Sequence, residues 1–130
     1  MKIKISTLLN SKDVLYMLGN TNGLSAHIAY RLYRNIELIN KELEMYEKTR
    51  IKLLKSFAKK DSDGNPIIKK NDNQEFYDLS EENLQKFNED ISKIINENVD
   101  LDLQKISLDD IDSVGLTPFQ ISLIDFILDV

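Results

Sequence analysis

The sequence predicts a mainly α fold of the α+β class: a long central helix packed in a helical hairpin with shorter helices, plus a small two-stranded sheet pairing the N-terminus with residues 99–105. Three observations predict it. Ala29, Leu32, Ile36, Ile39, Leu43 and Tyr46, then Leu53 and Phe57, recur at spacings of three and four, a heptad seam broken once at Arg50. Leu84, Phe87, Ile91 and Ile94 repeat the three-four-three spacing over a shorter span. Lys2-Ile3-Lys4-Ile5 and Val99–Leu103 instead alternate apolar and polar residues, the period of a half-buried strand.

In chain order, the strand at residues 2–5 is followed by a short helix that Ser11 would cap, with Val14, Leu15 and Leu18 on one face and Gly19 just past its end. Asn20-Thr21-Asn22-Gly23 is a polar turn. Ser25 caps the dominant helix, and no Gly or Pro interrupts residues 25–60, a span of roughly 45–50 Å at 1.5 Å per residue. Such a seam must be covered. The expected cover is an antiparallel third helix, with Ser80 as N-cap, Glu81 and Glu82 in its first turn and Leu79 stapled to Leu84; at about half the length of the second helix, it leaves part of the seam for the first and last helices or for a partner molecule. Between the two lies the polar stretch 59–73, expected to be a hairpin or mobile loop, with a turn at Asp63-Gly64 and a short strand at Ile67-Ile68. Val99, Leu101 and Leu103 form the second strand, whose Asp100 and Asp102 would face Lys2 and Lys4. The last helix carries Thr117, Pro118 and Gln120, a capping box with proline at the first helical position, and the apolar run behind it is expected to be buried.

At 130 residues the chain reads as a single domain, 1–130, with 42% hydrophobic residues. It has no cysteine, which excludes disulfides, thiolate chemistry and thiolate-rich zinc sites and fits a reducing compartment. The run Ile121–Val130 is interrupted by Asp125 and Asp129 and falls short of a membrane span, and the basic N-terminus lacks the apolar core of a signal peptide. A cytoplasmic location, with no membrane association, is expected. The net charge of −5 divides unevenly: residues 1–60 hold twelve Lys/Arg and five Asp/Glu, whereas residues 61–130 hold five Lys and seventeen Asp/Glu. Either the halves neutralise one another or each presents a surface to a partner.

Catalytic and metal signals are weak. His27 stands alone in the first turn of the long helix, without a second nitrogen ligand or a nucleophile motif. Asp61-Ser62-Asp63-Gly64-Asn65 resembles a calcium loop, but placing Gly64 at position six puts Lys59 and Lys70 where carboxylates are required. The four glycines are scattered, so no phosphate loop exists, and nothing brings an acid and a base into one pocket. The sequence therefore reads as non-enzymatic, with no cofactor and no metal.

Two charged surfaces remain. Lys48, Lys52, Lys55, Lys59 and Lys60 form a basic edge, and overall acidity argues against direct nucleic-acid binding. Glu89, Asp90, Glu97, Asp100, Asp102, Asp109, Asp110 and Asp112 form an acidic surface. Alternate carboxylates on a strand recur about 6.6–7 Å apart, comparable to phosphates along one nucleic-acid strand, so the surface suits a basic channel on another protein. It also suits a solvated face that aids solubility.

The order of segments resembles that of small uncharacterised phage and prophage proteins of low-GC Gram-positive bacteria. The likeness lies in the Lys2-Ile3-Lys4-Ile5 start, the long helix ending near Lys59-Lys60-Asp61 and the Asp63-Gly64-Asn65-Pro66 turn. It continues through Phe76–Phe87, Val99–Leu103 and Leu116-Thr117-Pro118. The resemblance implies a phage accessory or assembly role and transfers no catalytic residue. The expected function is binding of a host protein, with inhibition of a nucleic-acid-handling or defence (CRISPR-like) machine through the acidic surface. The alternative is a structural or assembly protein that forms a homo-oligomer through the long helix.

Overall fold

The chain begins as strand β1 (Lys2–Lys4) and passes directly into helix α1 (Ile5–Gly19). A computed structural model describes residues 1–129. The helix starts six residues before the expected cap at Ser11. No side chain caps it, because the Ile5 N–H, one of the donors a helix start leaves open, is taken at 3.1 Å by the Glu97 carbonyl. Ser11 lies inside the helix, fully buried, its Oγ donating to the Leu8 carbonyl at 2.8 Å. Ile5, Leu8, Leu15 and Leu18 share that buried face.

After the turn containing Gly23 (φ 89°), helix α2 runs from Ala26 to Phe57, about 48 Å at 1.5 Å per residue. Ser25 caps it as expected, accepting from the Ile28 N–H at 3.4 Å. Its buried line is Ile28, Leu32, Asn35, Ile39 and Leu43, so Ala29 turns outward and Ile36 is half-buried. α1 and α2 form an antiparallel hairpin. A Cβ at Gly19 would meet the Ile36 Cδ1 at 3.1 Å, while Lys12 and Asp13 share a groove with Asn40 and Leu43.

The chain divides into two compact units, residues 1–43 with 97–129, and residues 44–96. In the first, β4 (Asn98–Asp100) pairs antiparallel with β1, matching Lys2 to Asp100, Ile3 to Val99 and Lys4 to Asn98. The ladder is shorter than the expected 99–105 and begins one residue earlier. β1 has only three residues before α1, and beyond Leu101, whose N–H donates to the Met1 carbonyl, the backbone of Gln104 and Lys105 bonds to the side chains of Asn35 and Arg31. Lys4 therefore faces Asn98 and not Asp102. Ile106–Ser107 (β5) pairs in parallel with Leu128–Asp129 (β6), and a 3₁₀ helix occupies Leu108–Val114, ending at Gly115 with φ 73°.

Helix α4 (Pro118–Ile124) has the expected capping box: Thr117 Oγ1 accepts from the Gln120 N–H at 3.1 Å, and Gln120 Oε1 accepts from the Thr117 N–H at 2.9 Å. It lasts seven residues, because Ile127 and Leu128 enter the core through a 3₁₀ turn and β6. Phe119 faces solvent, and Val130, the end of the apolar run, lies outside the described residues. The core of this unit joins Leu8, Leu15 and Leu18 of α1 to Leu32 and Ile39 of α2, and to Leu101, Ile106, Ile111, Ile124 and Ile127. Burial of each such side chain contributes about 1.5–3 kcal/mol.

The second unit holds the end of α2, a turn over 59–67, the hairpin of β2 (Ile68–Asn71) and β3 (Gln74–Tyr77), and α3 (Glu81–Ile95). Ser80 caps α3 as expected, accepting from the Asn83 N–H at 3.2 Å. The expectation for α3 holds in part, since its length leaves much of the long helix to other elements. No residue of it belongs to the core that covers Ile28–Leu43; that face is filled by α1 and by residues 99–128. α3 instead joins the C-terminal end of α2, where Asn83 Nδ2 donates to the Phe57 carbonyl at 3.0 Å. The polar stretch contains two turns. Asp61 Oδ1 accepts from the Asp63 and Asn65 N–H groups, closing a turn whose flanks meet as a Lys60–Pro66 bridge, and Asp72-Asn73 closes the β2–β3 hairpin. Among the described residues, no helix is long and apolar enough to cross a membrane.

Candidate functional site

The acidic residues separate into two groups. Glu89 and Asp90 lie on α3 in the second unit; Glu89 is exposed and receives Gln85 Nε2 at 3.5 Å, whereas Asp90 is half-buried. Glu97, Asp100, Asp102, Asp109, Asp110 and Asp112 lie in the first unit and are all exposed. Their segment alternates carboxylates with buried Leu101, Leu103, Ile106 and Ile111, so the apolar residues anchor a strip whose acids face water.

The strip is also held from behind. Asn35, fully buried on α2, donates from Nδ2 to the Gln104 carbonyl and accepts on Oδ1 from the Gln104 N–H, both at 2.7 Å. The amide thus substitutes for a neighbouring strand at that residue. Arg31 adds a bond from its guanidinium to the Lys105 carbonyl at 3.0 Å. Arg31 reads in the sequence only as one more cation of the long helix, whereas Asn35 leaves a signal: it lies three residues after Leu32 and four before Ile39, a polar group on the buried line.

Not every acid in the strip is available. Asp110 Oδ2 accepts from the Ser107 N–H while Ser107 Oγ accepts from the Asp109 N–H, a capping box for the 3₁₀ helix. Asp100 Oδ1 receives the N-terminal ammonium at 2.8 Å. That hydrogen bond and the ammonium charge, helped by Lys2, hold its carboxyl below the usual range against a small opposing effect of desolvation. Asp102, Asp109 and Asp112 have no ion-pair partner within 4.0 Å among the described residues.

The basic edge belongs to the second unit. Lys48, Lys52 and Lys55 follow one face of α2 at spacings of four and three, all exposed and without ion pairs among the described residues. Lys59 and Lys60 have local roles. Lys59 reaches the Asp78 carboxylate at 3.7 Å, which Lys69 also reaches at 3.3 Å, and Lys60 Nζ donates to the Lys55 carbonyl at the end of α2. Beside them Arg50 grips Glu47 with two hydrogen bonds, which hold the guanidinium above its ordinary pKa, and burial raises Tyr46.

His27 is exposed near the start of α2, and among the described residues no cluster of three or more His, Asp or Glu is placed to hold a metal. The architecture is thus a mainly helical α+β fold with a long helix packed on α1 and small two-stranded sheets. No family model, curated protein or solved structure matches the chain.

Proposed function

We propose that this is a non-enzymatic, phage-type protein that binds a host protein in the cytoplasm and occupies a basic groove of the kind that receives nucleic acid, with inhibition of a nucleic-acid-handling or defence machine as the outcome. The observation that carries it is the mounting of Asp102, Asp109 and Asp112. Their backbone segment is pinned by Asn35 and by buried leucines and isoleucines, while the carboxylates stay exposed and without ion pairs among the described residues. A preorganised row of charge loses little conformational freedom on docking, so more of the electrostatic attraction remains as affinity.

The test replaces Asp102, Asp109 and Asp112 together by Asn, leaving the cap Asp110 intact. A host protein captured by the native chain is expected to be released by salt, displaced by heparin and captured at least about tenfold less well by the triple variant. Capture that is indifferent to heparin and to the triple substitution rejects the acidic mechanism. A second reading, self-association in an assembly role, draws on Tyr16, Tyr30 and Tyr33, exposed along the α1–α2 hairpin. Light scattering separates the two: a concentration-dependent mass that falls on Tyr16→Ser/Tyr33→Ser substitution favours assembly, and a constant monomer mass removes it.

A further inference from the structure

The second unit contains a groove of about 550 Å³ lined by Arg50, Ile51 and Leu54 of α2, residues 75–77 of β3 with Asp78 just beyond it, and Leu79 and Leu84. Successive side chains of a strand point to opposite faces. A groove bordered by four consecutive residues therefore runs along the strand's edge and not over one of its faces.

The hydrogen-bond register says which backbone groups lie there. Asp78 donates to the Ile67 carbonyl, and the ladder continues through Ile68–Tyr77, Lys69–Phe76, Lys70–Glu75 and Asn71–Gln74. Alternation of bonded and non-bonded pairs directs Gln74 and Phe76 toward β2 and turns the N–H and C=O of Glu75 and Tyr77 outward. Among the described residues, no backbone group outside the hairpin pairs with either.

The edge of β2 is different, because Lys69 and Lys70 lie along it, a common device against edge pairing. Along β3 the charges are already matched: Glu75 by Lys70, Asp78 by Lys59 and Lys69, and Arg50 by Glu47. The electrostatic complement of this groove is therefore an uncharged segment. Phe76 and Leu84, exposed at 47% and 46%, supply apolar contact. Ile51 and Leu54 of α2 and Leu84 also line the space, whose volume of about 550 Å³ suits a single short segment.

We propose that the β3 edge is a strand-addition site that takes a neutral, extended segment of a partner protein, its backbone pairing with Glu75 and Tyr77 and an apolar side chain entering between Leu54 and Leu84. The site is distinct from the acidic strip and can succeed or fail independently of it.

The probe is a set of capped hexapeptides alternating Val and Thr around a central Leu, with matched versions carrying Glu or Lys, titrated into the full chain and followed by amide NMR. The neutral peptide is expected to bind at about 1 mM or tighter and to slow exchange of the Glu75 and Tyr77 amides. Glu75→Pro removes an outward N–H without removing a hairpin bond, and Leu84→Lys alters an exposed wall; each is expected to weaken binding about tenfold or more with the rest of the spectrum unchanged. Any of four results overturns the site: no binding by the neutral peptide, binding that leaves the Glu75 and Tyr77 amides unaffected, unchanged affinity in folded Glu75→Pro, or preference for a charged peptide. Dimerisation abolished by Glu75→Pro reassigns the edge to a second copy and likewise overturns the partner segment.

Discussion

At the scale of single residues, Asn35 does most to set the geometry of the candidate surface. Its two 2.7 Å bonds satisfy both backbone groups of Gln104, so truncation strands a donor and an acceptor at a part-buried site. Asn35→Ala is expected to cost about 2–4 kcal/mol in urea denaturation, against under about 1 kcal/mol for an exposed neighbour such as Asn40→Ala. Asp100 makes a different prediction. Its folded-state pKa is lowered, so its stabilising contribution is present above the unfolded carboxylate's range and fades as pH falls through the folded value. A carboxyl-detected NMR titration is expected to place its midpoint below the ordinary 3.8, and acetylating the N-terminal amine to raise it. Neither interaction was legible as such. Lys2 and Asp100 were recognisable as opposite charges on facing strands, yet the ammonium, not Lys2, supplies the hydrogen bond.

At the scale of elements, caps were easier to read than partners. Ser25, Ser80 and the Thr117–Gln120 box sit where expected, because a cap depends on residues only two or three apart. α1 starts earlier than its local pattern predicts, since the Ile5 N–H of its first turn is satisfied by the Glu97 carbonyl, ninety-two residues away. The hairpin expected over residues 59–73 was centred on the turn at Asp63-Gly64, whereas β2 and β3 pair around Asp72-Asn73, which is not the more recognisable Asn-Gly pair. Both residues take positive φ, 45° and 70°, as a type I′ turn requires. Asn73→Gly is accordingly expected to stabilise the hairpin by about 0.5 kcal/mol, and Asn73→Val to destabilise it by about 1–2 kcal/mol. Exchange protection of the Lys69 and Phe76 amides reads both changes.

At the scale of the whole molecule, the long helix contributes to two compact units, with residues 26–43 in one and 44–57 in the other. Ile124 belongs to the core of the first and is fully buried. Ile124→Ala is expected to cost about 2–5 kcal/mol, with the loss of amide protection concentrated in residues 1–43 and 97–129 and the β2–β3 amides holding theirs. Uniform loss of protection would show that the two units unfold together. The division also sorts the charged surfaces, since the basic edge and Glu89–Asp90 fall in one unit and the acidic strip of residues 97–112 in the other.

The sequence by itself determined the long helix, its cap, the capped third and last helices, the pairing of the N-terminus with the region after residue 97, and the two sets of charges. All of these follow from periodicity, local hydrogen bonding or composition, which act over a few residues. Only the tertiary structure decided which elements cover Ile28–Leu43, that Asn35 pins Gln104, that residues 106–107 and 128–129 pair in parallel, and that β3 borders a groove. Each of these joins groups far apart in the chain, or leaves a backbone edge without a neighbour. Amphipathic faces of equal apolar content compete for the same surface, and the choice among them is made by packing, which no local pattern records.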